Sequence, residues 1–226
     1  MHRIPHGHGD RAVPATTIRH RAPMTDHDRP VDPTPPAGVP GILGTDHITV
    51  EGSNLSDTIE FYRDLLGMPL VLTQPNLDRS HLTHLFFDTG DGRMLTFFAS
   101  DDRESADVPN PAPGQVHHLA FRIERGRKDE IADRLRDAGY PVSEFDRGVF
   151  HSLYTEDNNG LGVELVTDKF GLSEDRRGEV LALAQQMRID DGATYVQESH
   201  MYRAIDELGL DASDWEGADA PTGRDV

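Results

Sequence analysis

Between residues 41 and 170 the spacing of apolar positions changes repeatedly, and each change marks an element. "LGTDHITV" (43–50) reads as a strand. "SNLSDTIEFYRDLLG" (53–67) instead places Leu55, Ile59, Tyr62 and Leu66 on one helical face, with a Ser/Asn cap before it and Gly67 at its end. "PLVLTQ", "HLTHLFFDTG" and "RMLTFFAS" predict three further strands, the last two joined as a hairpin by "DTGDG". A Pro-rich linker, "ADVPNPAPG" (106–114), follows, and then the order repeats. "QVHHLAFRI" is a strand and "RKDEIADRLRDAG" a helix. "YPVSEF", "VFHSLYTED" and "LGVELVTD" are three strands, with a hairpin turn at "DNNG". The helix-closing glycines, Gly67 and Gly139, lie 72 residues apart, as do Pro69 and Pro141 just after them.

The flanks differ. Residues 1–40 are rich in Pro, His, Asp and Arg without an apolar period, and read as a disordered arm. Beyond 170, "SEDRRGEVLALAQQMRI" and "QESHMYRAIDELGL" predict two helices with apolar stripes at Val180, Ala184 and Met187, then Met201, Ile205 and Leu208. The last dozen residues read as disordered. The expected class is therefore α+β: two tandem βαβββ modules (41–105 and 114–170) forming a half-open barrel around a metal site, plus a helical extension over 171–226.

Composition narrows the chemistry. The formal charge is −18, from 40 acidic against 22 basic residues, a balance that repels nucleic acid and anionic membranes. Lys128 and Lys169 are the sole lysines. Acid excess with few lysines is the pattern of a protein from a salt-loving organism, where salt screens self-repulsion; an ordinary acidic protein is the alternative. With no cysteine there are no disulfides, thiolate metal sites or thiol nucleophiles. No apolar run approaches a membrane span, and the N-terminus lacks the apolar core of a secretory signal, so a cytoplasmic location is expected.

The repeat places particular residues in equivalent positions. The first strands of the two modules carry His47 and His118; the last strands carry Thr96 and Glu164. A carboxylate in "LGVELVTD" is costly to bury alone and needs a partner. Two imidazoles and one carboxylate form a facial triad that leaves open positions on a six-coordinate ion and suits Fe(II) oxygen chemistry. His117 precedes His118, and strict alternation on a strand turns its ring to the other side.

Paired βαβββ units with "DHITV", "IEFYRDLLGMPLV", "THLFF", "LTFF", "VHHLAFRI" and "DRGVFHSLYTEDNNGLGVELVTD" resemble the vicinal oxygen chelate superfamily, and within it the ring-cleaving dioxygenases of the hydroquinone-cleaving type. The resemblance covers residues 44–168. It implies His47, His118 and Glu164 as ligands of Fe(II), or alternatively Mn(II) or another divalent metal. It implies catalytic or substrate-contacting roles for Tyr154, Arg147, His117 and His84, and substrate contacts for Thr49, Thr96 and Ser152. Substrates would be an aromatic diol and O2, and a homodimer is left open. Asp46 departs from the family's usual His-His pair, and the chain has two modules where typical members have four. Three protein ligands, with Thr96 in place of a fourth, leave room for both substrates. A non-redox metalloenzyme of the superfamily (glyoxalase, isomerase or fosfomycin-type transferase) and a metal-free binding protein are the alternatives.

Overall fold

The computed structural model describes residues 26–105 and 111–210. Most of the N-terminal arm, five linker residues and the last sixteen residues therefore lie outside the description. Residues before Val31 contribute one 3-10 turn, Asp26–Asp28. The first module contains strand β1 (His47–Glu51), helix α1 (Leu55–Ile59), and strands β2 (Leu70–Pro75), β3 (Thr83–Asp88) and β4 (Met94–Ala99). The second contains β5 (His118–Arg122), α2 (Lys128–Asp137), β6 (Ser143–Asp146), β7 (Phe150–Glu156) and β8 (Gly162–Asp168). Two helices follow, α3 (Glu174–Asp191) and α4 (Glu198–Glu207).

Local chemistry explains the boundaries. The Asn54 side chain accepts from the Asp57 amide at 3.0 Å and caps α1. After Ile59 the helix widens into a π-type stretch, Glu60–Leu65, with the Leu66 amide reaching back five residues to the Phe61 carbonyl. This winding puts Phe61 and Tyr62 side by side in the core, both fully buried. Gly67 and Gly139 end their helices at φ of 78° and 89°, where a Cβ is strained.

The modules fold alike. The first sheet runs β1-β4-β3-β2 and the second β5-β8-β7-β6. In each, the first strand is parallel to the last and the other pairings are antiparallel. Thr49 stands opposite Thr96, and Ala120 opposite Glu164. Among the described residues no strand of one sheet pairs with the other, so the barrel is not closed.

One core lies behind both sheets. Leu85, Phe87, Leu95 and Phe97 of the first join Leu153, Val163 and Leu165 of the second around Phe61, Tyr62, Ala132 and Leu135. The module junction is also polar: the Tyr62 hydroxyl donates to Asp157 at 2.7 Å, and the Ser53 amide donates to the Asn159 side chain at 2.6 Å. By strand alternation the opposite face of the first sheet carries His47, Thr49, His84 and Thr96. The opposite face of the second carries His118, Ser152, Tyr154 and Glu164. Each candidate group thus sits on the sheet face turned from the shared core. The C-terminal helices build a separate small core from Phe170, Val180, Ala184, Met187, Met201, Ala204 and Ile205, which includes five of the six stripe residues, with Leu208 packed against it.

Candidate active site

The second module assembles the denser half. Glu164, 8% exposed, is met by His118, whose Nε2 lies 2.9 Å from its carboxylate. Its cross-strand neighbour is Tyr154. Burial, then a hydrogen bond given to Glu164, push the Tyr154 phenol above its usual range, while a hydrogen bond from Arg147 works against that rise. The Arg147 guanidinium lies 5.3 Å from the Tyr154 ring centroid and 4.6 Å from that of Phe145. His118 and Tyr154 meet edge to face at 5.7 Å.

His117 lies just before β5 rather than within it. It is therefore free of the strand's alternation, and its Nδ1 reaches the Nδ1 of His118 at 2.8 Å. Gly162 stands opposite His118, and a Cβ there would come within 3.0 Å of the His117 carbonyl. The close approach of β8 to the two histidines requires glycine at this point. Ser152 is buried at 1% exposure, and its Oγ has no protein partner.

The first module supplies a sparser half. His47 gives its Nδ1 proton to Asp46 at 2.7 Å, which leaves Nε2 as the nitrogen with a free lone pair. The Thr96 hydroxyl donates to Thr49 at 2.8 Å. His84 packs between Phe86 and Phe98, at 4.0 and 4.6 Å. Burial and the neighbouring His47 charge hold its imidazole below the usual range, and its Nε2 is buried without a partner.

Do these groups fit a divalent metal? The His118–Glu164 separation of 2.9 Å suits two adjacent ligands on one ion at about 2.0–2.2 Å each. The third expected ligand does not join them. Among the described residues no three His, Cys, Asp or Glu side chains gather into a metal-holding group. The assignment of His47, His118 and Glu164 to one metal stands as an expectation: in this structure His118 pairs with Glu164, and His47 does not gather with them.

Phe145 and Gly162 were not singled out from the sequence, and Asp46 only as a departure from the family's pattern. Phe145 had a signal, since it precedes Arg147 by two in "EFDRG" and is 46% exposed for a large apolar side chain. Asp46 stood where a histidine was expected, and its acid group now appears as the orienting partner of His47.

The family model described as "Glyoxalase/Bleomycin resistance protein/Dioxygenase superfamily" matches residues 44–172. Two Bacillus subtilis (strain 168) proteins are similar at 27% identity. One, named "Putative ring-cleaving dioxygenase MhqO", aligns over 57% of this chain and 41% of its own length. The other, "Putative ring-cleaving dioxygenase MhqE", aligns over 58% and 44%. A crystal structure of a Bacillus subtilis protein titled a putative dioxygenase superposes with a TM-score of 0.50 at 25% identity, over 57% of this chain and 42% of that one. The chain thus spans about two-fifths of the length of the curated relatives it matches.

Proposed function

Because the chain belongs to the glyoxalase/bleomycin resistance protein/dioxygenase superfamily, we propose that it is a metal-dependent ring-cleaving dioxygenase of the extradiol type. Its substrates are a dihydroxylated aromatic compound and O2, and its metal is Fe(II), with Mn(II) as the alternative. The observation that carries this reading is the His118–Glu164 pair at 2.9 Å with Tyr154 and Arg147 against it. The lack of a carboxylate at Thr96 supports it further, since two substrates need more open positions than one.

The third ligand, His47, comes in this reading from a second copy of the chain. β1 and β5 are both edge strands, each with one free side, and each carries a candidate imidazole.

When bound, the ion supplies the redox and Lewis-acid chemistry that O2 insertion requires. The chain's own residues do the rest. Phe145 offers an apolar wall for an aromatic ring. Arg147 holds the Tyr154 phenol and a substrate oxygen from the same guanidinium. Tyr154, protonated at neutral pH as an ordinary phenol is, holds a proton where it can pass to a substrate oxygen.

Metal analysis of protein purified without oxygen, followed by oxygen uptake with a panel of catechols and hydroquinones, tests the reading. Bound iron or manganese with stoichiometric uptake supports it. Bound metal with no uptake on any diol points to a non-redox member of the superfamily. Absence of metal in a dimeric preparation overturns it.

A further inference from the structure

The helices α3 and α4 lie almost wholly beyond the family match, which ends at residue 172. They touch the candidate site at one place, the turn Arg147–Gly148–Val149 between β6 and β7. Four contacts converge there. Asp146 receives the Gly148 amide at 2.8 Å and the Lys169 ammonium at 2.7 Å. The same ammonium reaches Glu198, the first residue of α4, at 2.5 Å. A Cβ on Gly148 would lie 3.4 Å from the Val196 carbonyl, so the α3–α4 connection rests on the turn itself. Val149 packs into the small core of the helical pair. One residue further, the Phe150 ring lies 5.1 Å from Arg177 of α3, and Arg177 makes a two-pronged pair with Asp168 at 2.8 and 2.9 Å.

The turn held in this way carries Arg147. The Arg147 amide donates to the Phe150 carbonyl at 2.8 Å, closing the turn. Its guanidinium then projects over Phe145 and Tyr154. Arg147 is exposed and has no carboxylate partner among the described residues, so its position depends on the backbone beneath it. We propose that the C-terminal helical pair is a positioning device for the site. Through the Glu198–Lys169–Asp146 bridge it fixes the turn that aims Arg147 at Tyr154 and at a bound aromatic oxygen. Lys169 is the positioning residue. The Lys169 side chain is 11% exposed and holds two carboxylates on one ammonium, while Asp146 and Glu198 themselves are about half exposed. Two further features agree. The chain uses arginine nearly everywhere and keeps lysine at two positions. Lys169 ties the turn to the helices, and Lys128 likewise joins two carboxylates, Asp129 and Glu144.

This inference deepens the reading of the same site, and its test separates the two. The variants are Lys169→Gln, Lys169→Arg, Arg147→Ala and Arg147→Ala/Lys169→Gln, all in the full chain. The first readout needs no ligand: amide hydrogen exchange at 147–149. It should speed up about tenfold or more in Lys169→Gln, the loss expected for charge-assisted bonds, while β3 and β4 keep wild-type protection. The second readout is binding of 4-nitrocatechol, a coloured aromatic diol, to metal-loaded protein. Lys169→Gln should weaken it about five- to tenfold, Lys169→Arg should restore most of the loss, and the double variant should bind no worse than Arg147→Ala alone. Unchanged exchange at the turn, or additive losses in the double variant, overturns the proposal. Failure of the wild type to bind the diol counts against the dioxygenase reading, and the exchange measurement still decides whether the bridge holds the turn.

Discussion

Tyr154 and Tyr62 are both tyrosines bonded to a carboxylate, yet they predict different outcomes. Tyr154 faces the open side of its sheet, and Tyr154→Phe should leave metal content and fold intact while kcat falls about 100-fold, within the usual range for losing an acid–base group. A variant keeping more than half of wild-type kcat on its substrate would refute the role. Tyr62 is a structural case, fully buried at the module junction with its hydroxyl on Asp157. Burial raises the Asp157 carboxyl above its ordinary range, while bonds from Asn159, Tyr62 and Leu161 hold it down. A carboxyl with a raised folded pKa favours the fold most below its unfolded pKa, and that contribution is lost as pH rises through the folded value. Tyr62→Phe removes one of the bonds that offset this loss. It should cost about 1–3 kcal/mol, with a deficit that widens as pH rises above the ordinary carboxylate range. Urea melts at several pH values would show it; a deficit independent of pH would mean that Asp157 does not sense the hydroxyl. His47, His118 and Glu164 could be named in advance because a repeat compares each with a counterpart, and Tyr154 because a family resemblance pointed to it. Asp157 could not, since nothing in "EDNNG" says that its carboxylate meets a residue 95 positions away.

At the scale of elements, periodicity carried most of the information. All eight strands and the helices of both modules fall where the apolar spacing put them, although β6 is exposed along its whole length. What spacing missed is where an element is interrupted. The π-type winding of 60–65 depends on how Phe61 and Tyr62 pack against partners from the other module, and the placement of His117 depends on where β5 begins. Gly162 belongs to the same class. Its lack of a side chain lets β8 lie against His117 and His118, with the His118 Cβ itself only 3.2 Å from where a Cβ would sit. Gly162→Ala should push the start of β5 away and separate His118 from Glu164. Metal affinity should then drop at least about tenfold, the scale of a displaced ligand support, with a stability loss of about 1–3 kcal/mol from overpacking. Isothermal titration with Mn(II) beside a thermal melt separates the two effects, and unchanged affinity would show that β5 accommodates the methyl without moving its histidine.

For the whole molecule, what the sequence could not convey is how the modules face each other. Each apolar stripe says that a face is buried, not what buries it. Here both sheets turn one side to a shared core, and among the described residues the candidate ligands do not gather into one group. The large negative charge bears on the same point. Two chains of formal charge −18 repel each other, and the repulsion acts over about 10 Å at 0.1 M salt but only about 3 Å at 1 M. If His47 of one copy completes the centre with His118 and Glu164 of another, assembly and metal binding should both strengthen with salt. The expected result is a shift from monomer to dimer in analytical ultracentrifugation between low and molar NaCl, with bound metal per chain rising in parallel. A mixed sample adds the decisive comparison. His47→Ala and Glu164→Gln should each lose most of their metal alone, because each breaks every site of its own dimer. A mixture of the two should recover up to about half a metal per heterodimer chain, since one of its two sites keeps all three wild-type ligands. A monomer that binds one metal per chain at every salt concentration, or a mixture that recovers nothing while forming heterodimers, would place the third ligand elsewhere.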